Sequence, residues 1–339
     1  MRYFILIGVV ITIVGAWTGA WFYIAGGVRS EIQAVVSQST PSRMLGHDGV
    51  EVGGFPYRIK VDIAAPRAAL LGDGMDFRWA TDKVSAVRHL WQPNHVLLEL
   101  AGQHRFELSQ NGAVRKLVLD NREARASVET GTGGRLDRLS LDITAPSLQD
   151  NGALVLRGRR LQVHVRMTPD AADSIDLALR GDDLELDDGL LPPDLAELAG
   201  LARDISLLDV RTTVTGLPPN TATATPFALW RDGGGTVEVR QFHLVWGSVE
   251  ITASGSLALD DRMRPIGALT ARIRGHDELL DFAVKSGAMS KNSRAAAGAV
   301  LGLLAAAAGG VLSVPVRLQD GQLFLGPVAV AKLMPLALR

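Results

Sequence analysis

Four groups of residues in this chain have types that could do chemistry. The seven histidines, His47, His89, His95, His104, His164, His243 and His276, are scattered, and none has the H-x-x-x-H or H-E-x-x-H spacing that turns two imidazoles toward one zinc ion. They read as ordinary surface or edge residues. The acidic run Asp182, Asp183, Glu185, Asp187 and Asp188 is the best metal candidate. Alternation with Leu184 and Leu186 puts Asp183, Glu185 and Asp187 on one strand face, and calcium takes several oxygen ligands. Gly189 falls one position late for a calcium loop, however, and a solvated edge face that discourages sheet pairing is the plainer reading. Ser254-Gly255-Ser256 is a turn between strands rather than a nucleophile elbow. Gly131-Thr132-Gly133-Gly134 lies between strands, not between a strand and a helix as a phosphate loop requires. No nucleophile–base pair, cofactor fingerprint or metal site emerges. The expectation is a protein without catalytic activity, a hydrolase being the least supported class.

The chemistry that remains is apolar. Leu139, Leu141 and Ile143 alternate with polar residues, as do Leu161, Val163 and Val165, then Ile175, Leu177 and Leu179, then Val249 and Ile251. The same period of two covers Val96–Leu100, Val210–Val214, Phe242–Trp246 and Leu269–Ile273. Strands with one apolar and one wetted face belong to antiparallel sheet. Turn signals separate them: Asn111-Gly112, Gly131–Gly134, Asp150-Asn151-Gly152, Asp232–Gly235, Asp260-Asp261 and Asp320-Gly321. A turn glycine followed by alternating leucines recurs at Gly152, Gly255 and Gly321, as a repeated hairpin unit or as common strand-start chemistry. The predicted fold is mainly β: a long curved antiparallel sheet, as trough, barrel or sandwich, with an aliphatic interior because aromatics are only 5% of the chain. The apolar positions named above are the predicted lining of a ligand groove.

Few helices accompany the strands. Leu190–Arg203, His276–Ser286 and an Ala-rich segment, Ser293–Gly309, are expected as helices. The third is uncharged for long enough to test as a membrane span. Alanine and glycine give little transfer energy, so packing on the sheet is preferred.

One segment sets the location. Phe4–Ala25 is uncharged and apolar, and about 22 helical residues cross a hydrocarbon core of about 30 Å. It is longer than a signal-peptide core and leaves the membrane through Trp21, Phe22 and Tyr23, rings suited to the headgroup level, so an uncleaved anchor is preferred to a cleaved signal. Arg2 precedes the span, and Arg29 and Glu31 nearly cancel after it. That asymmetry puts residues 1–3 in the cytoplasm and the body across the membrane. Residues 26–46 then form a stalk, with Glu31–Gln38 a short helical continuation, and 47–339 the body. In the body, Gly54-Phe55-Pro56-Tyr57-Arg58 is a turn into the first strand or a membrane-proximal lip made by Phe55, Pro56 and Tyr57. The absence of cysteine fits export without disulfides, and a net charge of -1 gives no footprint for nucleic acid.

Three stretches together resemble a known family: Gly54–Arg58 after a membrane anchor, Gly255-Ser256-Leu257-Ala258-Leu259-Asp260 with Pro265-Ile266-Gly267, and Asp320-Gly321-Gln322-Leu323-Phe324-Leu325-Gly326-Pro327. With the Ala-rich helix before the last strands, they resemble an alphaproteobacterial envelope family, domain of unknown function 2125, and the wider AsmA-like group. The resemblance implies a single-pass inner-membrane protein with a periplasmic β-rich body, and a part in envelope maintenance or lipid handling along a sheet groove. It brings no catalytic residues and no cofactor. The partner expected is membrane lipid. The alternative is a structural scaffold whose apolar faces close on each other and whose partner is an inner-membrane protein complex.

Overall fold

A computed structural model describes residues 2–40, 42–72, 75–110, 112–169, 171, 173–186, 204–217, 226–285, 289–307 and 311–335. The helix expected at Leu190–Arg203 and the acidic positions Asp187 and Asp188 lie outside them. Strands dominate, and among the described residues they pair antiparallel. The chain divides into two compact units, residues 1–135 with 148–152 and residues 136–147 with 153–339.

The first unit begins with α1 (Arg2–Ser37), whose apolar run is long enough to cross a membrane. Residues 26–37, read from sequence as part of a stalk, continue this helix without a break. Ten strands follow: β1 (Arg43–Gly46), β2 (Gly49–Gly53), β3 (Arg58–Ala64), β4 (Arg67–Gly72), β5 (Met75–Thr81), β6 (Lys83–His89), β7 (His95–Glu99), β8 (Gly102–Gln110), β9 (Ala113–Asn121) and β10 (Glu123–Thr130). They are long meander strands bent at mid-length. Pairing therefore runs along two ladders, β2–β3–β6–β7–β10 and β1–β4–β5–β8–β9. The bend between β3 and β4 falls at Ala65-Pro66 without a slip in register, since Ala64 pairs with Lys83 and Arg67 with Ala80. Ala65 takes a φ of 45° and its N–H donates to the Asp82 carbonyl at 2.8 Å. A stripe on α1, Trp21, Ala25, Val28 and Ile32, recurs at helical spacing and packs on Ile59, Val61, Val50 and Val52. The segment after the span is thus docked on the first strands, not a free tether.

Of the next two strands, β12 (Ser147–Asp150) lies mostly in the first unit, and β11 (Leu136–Thr144) is the first strand of the second, which is a meander. Its strands are β11, β13 (Ala153–Met167), β14 (Ile175–Leu186), β15 (Asp204–Thr215), β16 (Thr236–Trp246), β17 (Val249–Leu259), β18 (Pro265–Arg274), β19 (Leu312–Gln319), β20 (Gln322–Leu325) and β21 (Val328–Lys332), each paired with the next. A short helix not foreseen from sequence, α2 (Pro226–Asp232), lies between β15 and β16, and its Trp230 Nε1 donates to the Thr215 carbonyl at 2.7 Å.

Two helices lie between β18 and β19: α3 (His276–Lys285) and α4 (Lys291–Ala307), within two residues of the predicted bounds. Asp277 and Glu278 in the first turn of α3 and Lys285 in its last complement the helix dipole. Ser290 caps α4 by accepting from the Ser293 N–H at 3.1 Å, and Arg294 ties the helices through Asp281 at 2.7 Å. Ala297, Leu301 and Ala305 of α4, at steps of four, are buried against Leu312, Val314, Leu325 and Val330 of the sheet. The Ala-rich helix is a packed element of this unit, as its composition implied.

Candidate functional site

Register makes the apolar face of the second unit continuous. Leu139, Val165, Leu177, Thr212, Val239, Gly255, Leu269 and Val316 stand opposite one another strand by strand. A second row runs Leu141, Val163, Leu179, Val210, Phe242, Ala253, Ala271 and Val314, and a third Ile143, Leu161, Gly181, Leu208, Leu244, Ile251, Ile273 and Leu312. Nine of the eleven residues expected to line a groove belong to these rows, and a tenth, Ile175, follows them as the partner of Met167. Val249 pairs with Trp246, past the end of the three rows.

Two helices do not cover this face. Ten strands at about 4.8 Å spacing are about 43 Å wide, whereas two helices of about 10 Å diameter cover about half of that. The helices cover β17–β21, where Ala271, Ile273, Leu312 and Val314 are buried. Toward β11, Leu139, Leu141, Leu161, Val163, Val165, Ile175, Leu177 and Leu179 are only half-buried, and Ile143 alone of this group is buried. Between the two regions, under α3, a cleft of about 430 Å³ opens. Val210, Phe242, Ile251, Ala253, Leu257 and Leu269 form its sheet wall, and Leu279, Phe282 and Ala283 its helix wall. No charged side chain lines it. Its volume lies in the range of small-molecule sites. Of the predicted lining residues, Ile251 reaches it, Val249 is fully buried beside it, and those on β11, β13 and β14 extend the same face outward.

The lip sits on the helix of the first unit. Trp17 Nε1 donates to the Pro56 carbonyl at 2.9 Å and Trp21 Nε1 to the Arg58 carbonyl at 3.0 Å. The Phe55 ring meets Trp21 edge-on at 5.5 Å and stacks with Phe22 at 6.3 Å. Phe55 is 49% and Tyr57 64% exposed, so neither ring is the core residue that a plain turn into the first strand would make it.

The profile of a bacterial family described as "Uncharacterized protein conserved in bacteria (DUF2125)" matches residues 21–334. The chain belongs to the DUF2125 family. No curated protein and no solved structure was found to match it.

The stretches that carried the resemblance to DUF2125 are structural. Gly255–Asp260 and Pro265–Gly267 build the β17–β18 hairpin. The Asp260 carboxylate accepts from the backbone N–H groups of Arg262 at 2.9 Å and Arg264 at 2.8 Å, and from the Arg264 guanidinium. Gly255 (φ 151°) and Gly267 (φ 144°) leave no room for a side chain, since a Cβ would meet the Ala268 and the Ser256 carbonyl oxygens respectively. Gly255 therefore lies inside a strand. This corrects both the turn read at Ser254–Ser256 and the rhyme of three turn glycines, in which Gly152 and Gly321 do close hairpins.

The polar residues of this DUF2125 chain are used for cohesion. Glu185 is held by Arg157 at 2.6 Å and Asp183 by Arg159 at 2.6 Å, while buried Asp182 lies 3.0 Å from Arg180. The acidic run is not a sheet edge, because β14 is paired on both sides. Asp183, at φ 49°, breaks the alternation expected of it. Among the described residues no group of three His, Asp or Glu side chains is placed to hold a metal ion. Nor is every histidine superficial. His104 is buried, stacks on Trp79, accepts from Trp79 Nε1 at 3.3 Å on Nδ1, and so donates from Nε2 to the Leu100 carbonyl at 2.7 Å. It is a satisfied core residue, and alternation around Phe106 and Leu108 was the signal that could have shown it.

Proposed function

We propose that this protein is a non-catalytic, single-pass inner-membrane protein, its N-terminus cytoplasmic and its β-rich body periplasmic, that binds lipid acyl chains on the apolar face of the second unit in maintenance of the cell envelope. The observation that carries the reading is the cleft of about 430 Å³ walled by aliphatic and aromatic carbon, opening onto half-buried apolar rows. An acyl chain there completes by contact what α3 and α4 leave uncovered, and its burial is favourable at roughly 25 cal/mol/Å². The span supports the location. Ile7, Val9, Val10, Ile11, Ile13 and Val14 are 51–65% exposed, as in a helix that meets lipid rather than a protein core. Arg2 before the span supports the orientation proposed.

The test is native mass spectrometry of the full chain extracted in mild detergent, with organic extraction and thin-layer chromatography of what copurifies. Bound lipid is expected. A ligand-free body would sink the proposal and favour the scaffold alternative, for which the exposed stripe Val300, Leu303 and Leu304 on α4 offers a contact surface.

A further inference from the structure

We infer that the first unit is seated in the membrane, with the β2–β3 lip and the neighbouring β6–β7 turn immersed at the outer headgroup–acyl boundary; this rests on the anchored reading of α1. Among the described residues, seven aromatic side chains are prominently exposed, and six of them are Trp17, Phe22, Tyr23, Phe55, Tyr57 and Trp91. Three are on α1, two on the lip, and Trp91 is on the turn after β6. That turn is adjacent to the lip, since Arg58 pairs with His89 and the Leu90 N–H lies 3.5 Å from the Tyr57 carbonyl. A chain with only 5% aromatics has thus placed nearly all of its exposed rings at one end of one ladder. Aromatic rings of this kind favour the membrane–water interface.

Helix length makes immersion a requirement rather than a preference. Trp17 is bonded to Pro56, so lip and helix share one level there. At about 1.5 Å per residue, Trp17 is about 23 Å along the helix from Arg2, short of a hydrocarbon core of about 30 Å. Tyr23 is about 32 Å from Arg2, which does reach across. If the lip stayed in water, the span would have to end before Trp17, about a quarter too short, and any tilt would shorten it further. If the helix spans fully, Pro56 is carried several ångströms below the outer boundary, and the exposed rings of Phe55 and Tyr57 enter with it. Amphipathic segments seated at an interface lie at a similar depth, about 5–10 Å.

The absence of cysteine makes the test clean. Full-length chains carrying Phe55→Cys, Tyr57→Cys, Val14→Cys or Val114→Cys are spin-labelled in phosphatidylethanolamine–phosphatidylglycerol nanodiscs, and relaxation by oxygen is compared with relaxation by a water-soluble nickel chelate. Labels at 55 and 57 are expected to be relaxed mainly by oxygen, at a depth of about 5–10 Å. The label at 114, on β9 in the other ladder, should be relaxed mainly by nickel. If 14 reports deep lipid while both 55 and 57 report water, the lip inference fails and the anchor stands. If 14 itself reports water, the anchored reading fails and the inference with it.

Discussion

Replacing Ala253 by phenylalanine decides whether the cleft under α3 is ligand space or filled core. Ala253 lies mid-strand on β17, between Phe242 and Ala271 in register, and its methyl group faces the cleft. In an open cleft the new ring buries roughly 100–150 Å² more apolar surface than the methyl. At about 25 cal/mol/Å² that is about 2.5–4 kcal/mol. About 1 kcal/mol of lost rotamer freedom reduces the gain. In a filled core the same ring costs about 1–3 kcal/mol through displaced neighbours. The sign of the change separates the two cases. The assay is urea unfolding of the delipidated full chain in detergent, followed by near-ultraviolet circular dichroism. Lipid must be removed first because a ligand bound to the native state adds its own stability. Alongside, native mass spectrometry of undelipidated protein should show occupancy falling in Ala253→Phe. A destabilised variant with unchanged lipid content would refute the assignment of this cleft as the site.

Other perturbations follow from the same geometry. Leu301→Ala removes a fully buried side chain between α4 and the sheet and should cost about 2–5 kcal/mol in the same unfolding assay. Gly267→Ala should cost about 1–3 kcal/mol or more, because β17 and β18 approach too closely there for a Cβ and φ is 144°; Leu257, its partner across the hairpin, should lose amide-exchange protection. Asp62 is held below its ordinary carboxylate value by the Ser85 hydroxyl with Lys60 and Lys83, and Asp142 by the Arg160 guanidinium. For a depressed carboxylate the stabilisation is complete above the unfolded value of about 3.9 and is lost as pH falls through the lower folded value. Thermal melts should therefore steepen downward below about pH 4, and Asp142→Asn should flatten part of that acid limb while lowering stability at neutral pH.

Much of the second unit could be read from sequence, because its strands alternate over long runs. Leu139–Ile143, Leu161–Val165 and Ile175–Leu179 name β11, β13 and β14, and register does the rest. Alternation also marked which residues share the apolar face. It could not say where along that face a cleft forms, since this depends on how far α3 and α4 reach, a property of helices remote from β11–β14 in sequence. Of the eleven predicted lining residues, only Ile251 meets the cleft directly. The residues that shape it most, Phe242, Ala253 and Phe282, look in sequence like any other core positions.

The first unit was less legible for a reason written in its bends. Inward positions change parity at the bend although the register does not slip, Ala64 facing Lys83 before it and Arg67 facing Ala80 after it. Phe77, Trp79 and Thr81 are inward and odd in β5; Asp82 and Lys83 are both exposed; then Val84 and Ala86 are inward and even in β6. A period-2 search loses phase at that step. Yet the bend has its own sequence signature. Val61-Asp62-Ile63-Ala64-Ala65-Pro66 recurs as Leu141-Asp142-Ile143-Thr144-Ala145-Pro146. Both alanines before proline have positive φ, 45° and 50°, and both donate their N–H to the neighbouring long strand, to Asp82 at 2.8 Å and to Arg159 at 2.9 Å. Each aspartate lies beside a basic residue on that neighbour, Lys83 or Arg160. Proline cannot extend the ladder through its missing N–H, and the local aspartate–base pair clamps the strands where the ladder is interrupted. Two copies of the same device, with the same backbone conformation and the same electrostatic clamp, mean that the bends are encoded locally. They do not depend on what happens to pack against each strand.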